Sequence, residues 1–194
     1  MPLVPILTQV LRPGRAARRA VLAAALACLA ACSPAYDWRE ARPEGAGWIA
    51  LLPGRPDTAT RDIQLGAVRV RMTMHGARVN DTAFTVATAE LPDAEPATRA
   101  RAVAAMREAL VRNIGGREVS NAPVPVAVVD PSGRSTGQEQ GTAIEATGQI
   151  RGAQATLLAR LVTHEAHAVQ ALVVGTAVDR EQAATFLESL RLRQ

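Results

Sequence analysis

From Trp48 onward the hydrophobic pattern alternates between stretches of period two and two stretches of helical period. Trp48-Ile-Ala-Leu-Leu52 predicts a strand, closed by the turn signal Pro53-Gly54-Arg55-Pro56. Thr58 to Leu65 predicts a second strand, with a turn at Gly66. Val68, Val70, Met72 and Met74 then alternate with Arg69, Arg71, Thr73 and His75. That is a half-buried strand with both methionines in the core, and Gly76 is expected to end it. Asn80-Asp81 predicts a turn into a strand over Ala83 to Thr88, which completes an antiparallel meander. The period changes after Pro92: Val103, Met106, Leu110 and Ile114 recur at spacings of three and four on an alanine-rich background. This predicts an amphipathic helix opened near Asp93 to Pro96 and stopped by Gly115-Gly116.

Arg117 to Gly141 predicts little regular structure, because Pro123, Pro125 and Pro131 are unsuited to a central strand. Only Val126 to Val129 reads as a short edge strand. Thr142 to Ile150, Ala153 to Thr163 and Ala168 to Thr176 predict three strands joined by the short connections Arg151-Gly152 and His164-Glu-Ala-His167. The middle one is apolar on both sides and belongs at the centre of the sheet. Asp179 and Gln182 read as a capping box for a last helix whose stripe is Ala183, Phe186, Leu187 and Leu190.

Composition changes the picture at the N-terminus. Arg12, Arg15, Arg18 and Arg19 precede a 12-residue apolar run, Ala20 to Ala31, which is too short for a spanning helix of ~20 residues. Leu29-Ala30-Ala31-Cys32 follows, and it resembles the lipobox of bacterial lipoproteins. The resemblance implies a signal peptide over residues 1–31, removed by cleavage, and a lipidated Cys32 that anchors the chain to a membrane. Each buried CH₂ of an acyl chain contributes about 0.8 kcal/mol, so two or three chains hold firmly where one would not. Ser33 rather than Asp after the cysteine implies, by the same resemblance, the outer membrane with the domain facing the periplasm. Residues 32–46 read as a tether that partly docks through Tyr36 and Trp38, and residues 47–194 as a single domain.

Setting the leader aside also removes the charge excess. The whole chain carries 22 Lys+Arg and 18 Asp+Glu, and residues 1–31 hold four of the arginines and no acid, leaving 18 against 18. A neutral domain lacks the basic excess that a nucleic-acid surface needs. Cys28 leaves with the leader, so Cys32 is the only cysteine of the mature chain and no intrachain disulfide can form. The remaining 163 residues are enough to bury roughly 70% of the unfolded surface.

Strand pairs, a helix, further antiparallel strands and a terminal helix resemble the Mog/PsbP-like fold. Trp48 to Pro56 and Asp179 to Leu192 carry the likeness, which spans most of residues 47–193. It implies an α+β domain in which an antiparallel sheet is sandwiched between helices, and an accessory or assembly role. Tyr36-Asp37-Trp38 after the cysteine also resembles small uncharacterised lipoproteins of proteobacteria.

Candidate chemistry is sparse. His164 and His167 flank a two-residue turn, but the zinc-protease motif needs histidines four apart on a helix with a third ligand. They read as a solvated hairpin turn. Asp130-Pro-Ser-Gly-Arg-Ser135 carries hydroxyls without a nucleophile elbow, and reads as a loop. Arg69, Arg71 and Arg78 offer a basic stripe on one sheet face, with a solvated strand face as the plainer reading. No catalytic residue, cofactor or metal is assigned. The expectation is a non-catalytic, periplasm-facing lipoprotein that binds an envelope protein or assists assembly. The alternatives are a carrier of a small apolar or lipid-like ligand, and a hydrolase.

Overall fold

The computed structural model describes residues 35–194; Cys32 and the expected leader over residues 1–31 lie outside the described residues. The strands are β1 (Arg39–Ala41), β2 (Trp48–Leu52), β3 (Asp57–Leu65), β4 (Val68–Val79), β5 (Thr82–Glu90), β6 (Arg117–Val129), β7 (Ser135–Ile150), β8 (Ala153–His164), β9 (His167–Gly175) and β10 (Arg191–Arg193). Two helices interrupt them, α1 (Pro96–Asn113) and α2 (Arg180–Ser189). All ten strands join one sheet in the order β1-β2-β10-β6-β7-β8-β9-β5-β4-β3. Every pairing is antiparallel except that of β10 with β6.

This corrects the expected sandwich of a sheet between helical layers. The described chain is 57% strand and 18% helix, and its sheet curls into a half-barrel. The two helices touch opposite faces, yet neither amounts to a layer. On one face α1 buries Ala102, Met106 and Leu110 against Met72, Ala87, Leu157 and Leu161. On the other, Phe186 of α2 packs among Phe84, Val169, Ala171 and Leu192. The curl brings β2 over β4, where Trp48 stands edge-on to His75 with ring centroids 5.6 Å apart.

Local corrections have clear causes. β4 runs straight through Gly76, whose missing side chain leaves room for its partner strand β5: a Cβ there would lie 3.0 Å from Phe84 O and 2.8 Å from Thr85 Oγ1. β6 is 13 residues long where little structure was expected. It can hold Pro123 and Pro125 because β10 pairs with it only at Val128 and Val129, leaving the proline stretch on a free edge. The last helix ends at Ser189, and Arg191–Arg193 adds a strand between β2 and β6. The Asp179 side chain accepts hydrogen bonds from the Glu181 and Gln182 amides, capping α2. Gln182 does not close the box as expected, since its Oε1 accepts from Trp38 Nε1 at 3.3 Å.

The segment read as a tether contributes to the fold from Tyr36. Tyr36 and Trp38 stack on each other at 5.7 Å and meet Phe84 edge-on at 6.0 and 6.1 Å. β1 then pairs with β2 through Arg39 to Ala41. No helix among the described residues is long and apolar enough to cross a membrane.

Candidate functional site

The sequence of α1 divides its circumference. Thr98, Ala102, Met106 and Leu110 face the sheet, so Ala97, Ala100 and Ala104 come to the outside as a low, exposed ridge. Arg101, Glu108 and Arg112 flank it, with Arg112 Nη1 donating to Glu108 Oε1 at 3.0 Å. Open grooves run along the ridge. One of about 460 Å³ separates α1 from the β3–β4 turn and is lined by Leu65, Val68, Leu91 and Ala102. One of about 450 Å³ follows β7 and β8 past Val103, Thr142 and Leu161, and one of about 660 Å³ passes Val111, Gly115 and Glu118. Ala104 borders all three. Val68 is 39% exposed and Val119 53%, both large for aliphatic side chains.

Both ends of α1 are fixed. Near the start, Arg99 Nε donates to Thr163 Oγ1 at 3.0 Å, and Nη2 donates to Thr163 O at 2.8 Å and Glu139 Oε2 at 3.0 Å. His164 Nδ1 donates to the other Glu139 oxygen at 2.9 Å. Burial would raise the Glu139 carboxyl, but the His164 hydrogen bond and the Arg99 charge outweigh it and hold the group below the usual carboxylate range. At the far end, Arg107 chelates Glu118 through Nε and Nη2, and the Glu118 carboxyl is lowered chiefly by that hydrogen bond. α1 is thus a rigid platform.

The other face carries a row of ionisable groups across six strands. Register places His164 opposite His167, His167 opposite Glu90, and Arg71 opposite Asp62. Arg71 follows the Met72–Ala89 pair and so adjoins Glu90, while Glu139 joins the row through His164. The expected solvated turn therefore holds two different histidines: the turn itself is only Glu165-Ala166, His164 is largely buried against Glu139, and its Nε2 has no partner. Among the described residues no three His, Cys, Asp or Glu side chains converge as a metal site would require. The Asp130–Ser135 loop is self-contained, with Asp130 accepting from Ser132 and Arg134. Arg69 and Arg71 share Asp62 at 3.5 Å each, and Arg78 lies on the opposite face of β4, so no three-arginine stripe exists. Met72 is buried and Met74 partly so, both against α1.

Sequence reasoning missed Glu139, Glu90 and Arg99. Their positions relative to the histidines depend on strand register and on α1 docking, which no local pattern encodes.

His75 gives a pH prediction. Its pKa lies below the ordinary value because burial penalises the imidazolium. The stability its neutral form contributes is complete above about pH 6.5, the unfolded value, and is lost as pH falls through the lower folded value. The urea midpoint should begin to drop just below pH 6.5 in the parent, and His75→Gln should flatten that limb. Both should still weaken further below about pH 4.5, where the paired carboxylates of Glu118, Glu139 and Glu145 protonate. An identical profile in parent and variant between pH 7.5 and 5 would refute the assignment.

No family model and no curated protein matches the chain. A solved structure of a Pseudomonas aeruginosa protein of unknown function, described as a candidate regulator, is similar over 76% of this chain and 94% of its own, with 11% identity and a TM-score of 0.39. It informs neither the activity nor the partners of this chain.

Proposed function

We propose that this chain is a lipid-anchored, non-catalytic protein of the bacterial envelope, tethered at Cys32 and facing the periplasm, which binds a protein partner along the outer face of α1. The observation carrying this reading is the Ala97–Ala100–Ala104 ridge between apolar-walled grooves, with Arg101, Glu108 and Arg112 at its rim. Small side chains on a rigid helix let another backbone approach closely, and an interface pairs a buried centre with a polar, solvent-accessible rim. The filled core supports the same reading over that of a carrier. Trp48, Phe84, Phe186 and Leu192 are 0% exposed, and the open groove of about 270 Å³ between α2 and the sheet carries the Arg180–Glu145 ion pair in its lining, which does not suit a wholly apolar ligand. Two of the ionisable groups available for chemistry, Arg99 and Glu139, are bound to each other. Cross-linking the anchored protein in intact cells should capture the same envelope protein reproducibly, and an Ala104→Arg chain should lose it. Equal capture by both chains would count against the α1 face.

A further inference from the structure

The curl of the sheet creates a second, separate cleft on the face away from α1. The segment Glu44 to Ala46 crosses over β4, β5 and β9 and encloses about 220 Å³ with Arg71, Thr73, His75, Thr88, Glu90 and His167. Thr88 Oγ1 donates a long hydrogen bond to Ala46 O at 3.4 Å, and Trp48 packs on His75 behind it. The His75 Nδ1 is engaged with Thr58 Oγ1 at 3.0 Å, so Nε2 is the nitrogen left for a ligand.

Most of the side chains that line it are polar, and they carry both signs of charge within one small space. A simple anion would meet Glu44 and Glu90, and a simple cation would meet Arg71. A molecule bearing a carboxylate and an ammonium a few ångströms apart would satisfy both at once, with its carboxylate on the terminal nitrogens of Arg71, whose Nε faces Asp62 at 3.5 Å, and its ammonium between the two glutamates. The volume lies below the roughly 300 Å³ at which pockets for drug-sized ligands begin. We infer that this cleft binds a small zwitterion of the α-amino-acid class. The inference is independent of partner binding on α1, which occupies the opposite face.

The test uses the purified full chain in detergent, titrated with glycine, alanine and glutamine while tryptophan fluorescence is followed, since Trp48 adjoins His75. Acetate and ethylammonium serve as single-charge counterparts. The expected result is a saturable change with at least one amino acid, at least tenfold weaker with either counterpart. Arg71→Ala and Glu90→Gln, both at exposed positions, should each weaken binding at least tenfold with the melting temperature unchanged. Should one of these variants fail to fold, the other decides. No saturable signal from any of the three amino acids would overturn the proposal. Equal binding of the single-charge probes would do so as well, as would undiminished affinity in the folded variants.

Discussion

Gly148→Ala should destabilise the domain by about 3 kcal/mol or more, at the upper end of what overpacking costs. In β7 this glycine lies against the end of α1, and an added Cβ would stand 2.3 Å from Ile114 O and 2.9 Å from the Gly116 Cα. Ile114 O also accepts the Gln149 amide at 2.7 Å, the hydrogen bond that ties the helix end to the sheet. Neither backbone can retreat without breaking that bond, so side-chain repacking offers no relief. Gly116 is the reciprocal half of the contact, its own Cβ position lying 2.3 Å from Thr147 O. For a chain of this size the loss should appear as a fall of roughly 10 °C in Tm. Gly137→Ala is the control, because nothing lies within 4 Å of its Cβ position. If both variants melted like the parent, the close contact of α1 with β7 would be wrong.

Cys32→Ala should move the protein from the membrane fraction to the soluble fraction. On the proposed lipidation, removing the thiol removes the acyl acceptor, and the 12-residue apolar run before Cys32 is too short to span a bilayer of ~30 Å as a helix. With about 0.8 kcal/mol per buried CH₂, two long acyl chains give an anchor that dilution does not reverse. Cell fractionation with detection of the chain reads the result directly. Unchanged membrane retention of the variant would count against lipidation.

The parts of the fold legible in the sequence were those whose side chains repeat against one partner surface. Val70 and Met72 alternate because this part of β4 turns one side to the core beneath α1 and leaves Arg69 and Arg71 exposed on the other, and Met106 and Leu110 repeat because α1 has a single buried stripe. β6 was hidden because its prolines look prohibitive until its free edge is known. β10 was hidden because three residues carry no period. With β1 and β10 missed, β6 read only over Val126 to Val129 and β7 only from Thr142, a ten-stranded half-barrel became an expected helical sandwich.

The functional surfaces were less legible. His164 and His167 were visible as a pair, but Glu139 reaches His164 from 25 residues away through the pairing of β7 with β8. Arg71 and Glu90 belong to separate motifs in the sequence and become neighbours only through register. The alanines of α1 were conspicuous as composition. Their meaning as a ridge needed the buried stripe to be placed first, and the grooves needed the β3–β4 turn and the β6–β7 hairpin on either flank.

The most direct measurement is site-specific photo-cross-linking in cells, with the photoreactive residue placed at Ala104 on the ridge or at Thr60 on β3, remote from it. The expected result is one discrete adduct from Ala104, identified as the same envelope protein in replicate experiments, and none from Thr60. Equal adducts from both positions, or none from Ala104 in cells where the chain is membrane-bound, would contradict a docking role for α1.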